Sequence, residues 1–285
     1  MERAVRWTRF ALLLCAGLAA CRQGAGDGPP APTIAFEEIA YAITVEGTTL
    51  AVLGGPDDGR RLAVAGLNDG SMLLGLDYRP SDGLLYALGN DGQLYTLSFT
   101  GVAAPVGAAQ PYGDLREGVA FDLNPQLDAL RVVATADGRN FVTDTDTGVS
   151  TEYTRSAYAA GDSGAGGAPK VLATAYTNPV SPFPAGAITT QYSLEATRDA
   201  YAVQAKNDGT LTALGVLDLD IGGPAGLDVS GATGVAYALL SVGGSQGLYT
   251  VNARNAALTR LDADVSGLAD LTIVPADARV EVSIW

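Results

Sequence analysis

Histidine is absent from the 285 residues, and cysteine occurs only as Cys15 and Cys21. Without an imidazole, haem ligation by histidine, Cys/His zinc centres and every Ser-His or Cys-His nucleophile pair are excluded by inventory. Both cysteines fall in the first 21 residues, so the body of the chain has no thiol and no disulfide. Lysine is confined to Lys170 and Lys206, and 31 acidic against 17 basic residues give a formal net charge of -14. Such a field repels polyanions, and without a basic patch to release counterions nucleic acid is not an expected partner. Long apolar runs are missing too. The stretch over residues 11–18 is too short to span a bilayer. What remains is 47% hydrophobic, the composition of a packed globule that needs neither metal nor cofactor to hold it together.

Residues 1–10 carry Arg3, Arg6 and Arg9, an apolar run follows, and Leu18-Ala19-Ala20-Cys21 ends it. A charged n-region, a short h-region and small residues before a cysteine form a cleavable export signal, residues 1–20. Leu-Ala-Ala-Cys resembles the lipobox of bacterial lipoproteins, which implies a diacylglycerol thioether and an acylated amine on Cys21. More than one acyl chain is what stable membrane anchoring requires. Gln23 to Pro32, within a segment 21–34, has the composition of a flexible tether. The expected location is the bacterial cell envelope. Arg22 in place of an aspartate after the cysteine favours the outer membrane.

One short pattern recurs through residues 35–285: Leu76-Asp77-Tyr78, Phe121-Asp122-Leu123, Thr174-Ala175-Tyr176, Leu227-Asp228-Val229 and Leu271-Thr272-Ile273. Their central positions lie 45, 53, 53 and 44 residues apart, and most are followed by further apolar strands such as Leu84–Leu88 and Gln93–Leu97. Asn68-Asp69-Gly70, Asn90-Asp91-Gly92 and Asn207-Asp208-Gly209 read as hairpin turns, since Asn and Gly tolerate positive φ. Short strands in units of about 45 residues predict an all-β fold, a β-propeller of four-stranded blades. Five blades result if residues 39–66 lack a first strand that Leu268–Val274 supplies, closing the ring with N- and C-terminal strands. Val280–Ile284 reads as a further strand and leaves six blades or an extra edge strand open. A β-sandwich is the alternative fold.

Gly75-Leu76-Asp77-Tyr78-Arg79-Pro80, Phe121-Asp122-Leu123-Asn124-Pro125 and Asp128–Val133 resemble the bacterial domain-of-unknown-function family 4394. Arg139-Asn140, Ala175–Asn178, Asn207–Leu211 and Gly226-Leu227-Asp228 follow in that family's order, over roughly residues 38–275. The resemblance implies a secreted, propeller-like domain and brings no established activity. Ala205-Lys206 stands where the family often has prolines.

The most polar strand pair holds Asp122, Asn124, Arg131, Arg139 and Asn140. It reads either as a ligand cluster, with an arginine clamping a carboxylate or phosphate, or as turn chemistry with Asp128 pairing Arg131. Tyr158 to Pro169, carrying Asp162, reads as the longest irregular segment, with Tyr176 and Asn178 close behind; an aromatic ring beside amide and carboxylate groups suits a sugar or peptide. Asp144–Gly148 and Asp218–Asp220 lack the remaining positions of a calcium loop and read as turns. Gly243–Gly247 matches a nucleophile elbow only on paper, with no histidine to take the serine proton. The leading expectation is a non-enzymatic, membrane-anchored module that binds an envelope protein or a glycan. The alternatives are a carboxylate-dependent glycoside hydrolase and a structural envelope subunit.

Overall fold

In a computed structural model, residues 34–278 are described; the export segment, Cys21 and the Val280–Ile284 segment lie outside them. The chain enters through β1 (Ile34–Ala35) and then builds blade 1 from β2 (Ile39–Thr44), β3 (Thr49–Leu53) and β4 (Arg61–Ala63). Blade 2 is β5 (Leu73–Arg79), β6 (Leu84–Gly89), β7 (Leu94–Leu97) and β8 (Ala103–Val106). Blade 3 is β9 (Val119–Asn124), β10 (Ala129–Ala134), β11 (Asn140–Asp144) and β12 (Ser150–Tyr153). After β13 (Ala157–Tyr158), blade 4 is β14 (Val171–Tyr176), β15 (Gln191–Glu195), β16 (Ala200–Ala205) and β17 (Thr210–Val216). Blade 5 is β18 (Ile221–Val229), β19 (Ala236–Val242), β20 (Ser245–Val251) and β21 (Leu258–Asp262). Finally β22 (Leu268–Val274) returns to pair antiparallel with β2, Ala42 facing Leu271. Five antiparallel sheets result, a five-bladed β-propeller whose ring is closed by the last strand as the repeat pattern requires. β1 and β13 add parallel outer edges to blades 5 and 4.

Each blade is packed between two others, so its inner strands are buried on both faces. The apolar runs are therefore nearly continuous instead of alternating: β9 and β14 are buried at every position. Outer strands meet solvent and turn polar, as Ser150–Tyr153 does. Two of the Asn-Asp-Gly motifs make the expected hairpins, joining β6 to β7 and β16 to β17. The third, Asn68-Asp69-Gly70, joins blade 1 to blade 2 instead, and its Asn68 amide donates to Asp91 of the second motif at 2.9 Å. The same turn chemistry serves a hairpin or a crossover, so the motif alone does not distinguish them.

The five first strands, β5, β9, β14, β18 and β22, line the axis. Two positions before the central residue of each pattern stand Gly75, Ala120, Ala173, Gly226 and Asp270, small in four cases. A Cβ on Gly75 would lie 2.5 Å from the Phe121 Cβ, and one on Gly226 would lie 2.6 Å from Asp270 Oδ1. Neighbouring blades close in on the axis because these side chains are missing.

Candidate functional site

Three of the five central residues of the repeat, Asp77, Asp122 and Asp228, are carboxylates, and Asp270 stands two positions before a fourth central residue, Thr272. Asp77 accepts the N–H of Tyr78 (2.7 Å) and, across to blade 3, that of Leu123 (2.6 Å). Asp122 accepts the N–H of Tyr176 in blade 4 (2.8 Å). Asp228 accepts those of Val229 and, in blade 1, Ile273. Asp270 takes Leu271 (2.8 Å) and, in blade 2, Leu76 (2.9 Å). Four of the five joints between blades are thus pinned by a side-chain oxygen that accepts an N–H of the next first strand. At the joint from blade 4 to blade 5 the position is Ala175, and a continuous apolar cluster including Leu172, Tyr201, Ile221 and Leu227 fills the interface.

Asp77, Asp122 and Asp228 bring an oxygen each within 4.8 Å of one another, a spacing at which carboxylates can share a hard cation. They are buried, and Thr272 Oγ1 sits between Asp77 Oδ1 (2.8 Å) and Asp228 Oδ2 (3.0 Å). Burial pushes Asp77 up to about 6, and burial together with the neighbouring carboxylates pushes Asp122 and Asp228 well above the ordinary range. Asp270 is raised as well, mainly by burial. This geometry does not suit glycoside hydrolysis, which needs two carboxyl groups about 5–9 Å apart with a sugar between them. Here main-chain amides occupy the acids and neighbouring blades close over them.

Above this layer, where the first strands begin, a cavity of about 470 Å³ opens on the axis. Leu74, Val119, Leu172, Ala225 and Ala269, the residues three before each pattern's centre, form its apolar wall, one from each first strand. Thr135 lines it at 3% exposure, and no hydrogen bond to its hydroxyl occurs among the described residues. Arg116, Glu117 and Lys170 stand at the mouth, Lys170 paired with Glu117 (2.8 Å) and Arg116 with Asp114 (2.6 Å). Strand residues fix the wall, which is how rigid binding sites are built. The repeat register carries this signal: the wall residues are the apolar position at a constant offset. Sequence reasoning did not use that offset, and Thr135 has no motif to mark it.

The residues singled out from the sequence divide into two groups. Asp122, Asn124, Arg131, Asn140 and Tyr176 converge between blades 3 and 4. Arg131, 1% exposed, donates through Nε to the Tyr176 hydroxyl (3.0 Å), and through its two other nitrogens to Oδ1 of Asn140 (2.8 Å) and of Asn207 (2.9 Å). Asn140 donates onward to the carbonyls of Thr154 and Lys206, and Tyr176 to Gln191. Asn124 accepts the turn amides of Gln126 and Leu127. Asp128 does not pair with Arg131 as the turn reading supposed; it holds Arg79 (2.7 Å), which also meets Asp82 and Asp146. The other three lie apart from this network. Arg139 pairs with Glu152 over the Phe141 ring. Asp162 accepts the N–H of Gly164 and Ala213 and pairs with Arg198 (2.6 Å), tying down its loop. Asn178, at φ 60°, donates to the Ile188 carbonyl inside the segment 177–190, which is longer than the one around Asp162. Asp144 caps its own turn through Asp146 and Thr147, as read from the sequence.

A chain from a nidogen/laminin complex is 14% identical, with a TM-score of 0.50, and the match covers 84% of this chain and 98% of that one. A catalytically inactive virginiamycin B lyase from Staphylococcus aureus, solved with quinupristin, is 11% identical (TM-score 0.45; 83% and 74% covered). A protein of unknown function from Bacteroides caccae is 7% identical (TM-score 0.47; 84% and 99% covered). At 14% identity the likeness to the nidogen/laminin chain is one of fold alone. No curated protein matches the chain by sequence. The profile described as "Domain of unknown function (DUF4394)" matches residues 54–272, from the end of β3 to the pattern residue Thr272, and the chain belongs to that family.

Proposed function

We propose that this protein is a non-enzymatic binding module of the bacterial envelope, anchored through a lipid on Cys21, that takes an apolar group of its ligand into the axial cavity. The observation that carries the reading is the 470 Å³ cavity: its wall takes one apolar residue from each of the five first strands, and Thr135 adds a hydroxyl to the lining. Among the residues lining it there is no aromatic ring and no side-chain amide, the groups a glycan would call for, so an apolar ligand group fits better than a sugar. The amide-bound carboxylates below it speak against hydrolysis.

The test uses the full chain with Cys21→Ser as bait against envelope extract, beside the same chain carrying Ala269→Trp to fill the cavity. Ligands retained by the first and lost from the second support the reading; equal retention by both overturns it. Membrane fractionation of the Cys21→Ser chain tests the anchor. Release into the soluble fraction is expected, and persistent membrane association contradicts lipidation.

A further inference from the structure

We infer that the ligand of the axial cavity is a small amphipathic anion: an apolar ring or short chain bearing one carboxylate, sulfonate or similar head group. The inference rests on the cavity reading above and adds the head group. Its first support is charge. In a chain of net charge -14 with only two lysines, the cavity mouth brings together two cations, Lys170 paired with Glu117 and Arg116 paired with Asp114. Both cations are in exposed pairs, the Arg116 side chain 88% and the Lys170 side chain 46% exposed. Exposed pairs contribute little, so an incoming anion can replace the protein carboxylate at small cost.

The second support is the chemistry of the wall. The wall is five apolar side chains, Leu74, Val119, Leu172, Ala225 and Ala269, while the charged residues Arg116, Glu117 and Lys170 lie together, so a ligand with an apolar part and a charged head meets both chemistries in one cavity. The size falls within the range of small-molecule sites. Thr135 supplies one hydrogen-bonding group part-way along, able to donate or accept. A protein partner would have to insert a lone side chain here.

Two fluorescent probes of similar shape separate the claims: 8-anilinonaphthalene-1-sulfonate, which carries the anion, and N-phenyl-1-naphthylamine, which does not. Each is titrated into the full Cys21→Ser chain at low salt. Saturable binding of both at one per chain is expected, with the sulfonate at least about fivefold tighter, a difference of about 1 kcal/mol. Ala269→Trp should abolish both signals; Leu74→Phe serves if that variant does not fold. The pair Arg116→Gln and Lys170→Gln should weaken the sulfonate to the level of the neutral probe and leave the neutral probe unchanged. If the neutral probe binds and the sulfonate does not bind more tightly, the anion is wrong while the cavity stands. Failure of both probes, or binding unaffected by filling the cavity, overturns both.

Discussion

A hydroxyl has one hydrogen, and Thr272 stands within hydrogen-bond distance of two carboxyl groups, Asp77 and Asp228. Both contacts are served at once if Asp228 keeps its proton and donates to Thr272, which in turn donates to Asp77. The raised carboxyl groups agree with a retained proton. The sign of the pH dependence follows. Groups with raised folded values add stability that is complete below pH about 4 and is lost as pH rises through the folded values. For Asp77 that window ends near 6. Thermal unfolding should therefore show a higher midpoint at pH 5 than at pH 8, and Asp228→Asn, which keeps an acceptor without the charge, should flatten that slope. A midpoint that rises from pH 5 to pH 8 would contradict retained protons at the axis. Arg131 makes the complementary case: a buried cation whose side-chain partners are neutral oxygens in three directions. Lysine cannot reach all three, so Arg131→Lys should cost about 3 kcal/mol in urea unfolding, whereas an unchanged urea midpoint would show that the network does not hold the joint.

Among the elements, the first strands carry both stability and site. Their repeat was legible because three of five centres are aspartates between apolar residues: Asp77, Asp122 and Asp228. The polar cluster at Asp122, Arg131, Asn140 and Tyr176 was legible as a group, because β9 and β10 pair with Asp122 directly opposite Arg131. What those side chains contact was not legible, since Arg131 crosses to Tyr176 and Asn207 of the next blade, a juxtaposition that only the closed ring creates. The glycines were the least readable. Gly75 and Gly226 look like strand weaknesses in the sequence, yet each makes room for an adjoining blade. Gly226→Ala should destabilise by about 1–3 kcal/mol through overpacking, read as a lowered urea midpoint. Gly234, where an added Cβ would meet nothing, is at φ 71° and so tests backbone strain separately.

For the whole molecule, closure rests on β22. A chain ending at Gly267 loses that strand and with it Asp270 and Thr272, leaving blade 1 with three strands and two joints without pins. Its unfolding should become broad and lose cooperativity; a sharp transition at the original temperature would mean that the ring holds without its closing strand. The joint between blades 4 and 5 differs from the other four in what holds it. At the axis it has Ala175, and its polar tie, Asp199 to the Ile221 N–H, lies at the start of β18. Apolar attraction weakens on cooling while hydrogen-bonded carboxyl pins are much less affected. The ring therefore has one cold-labile seam: near freezing it should breathe first beside Leu172 and Ala225, two residues that also wall the axial cavity, so chilling would widen the entrance that warmth keeps tight.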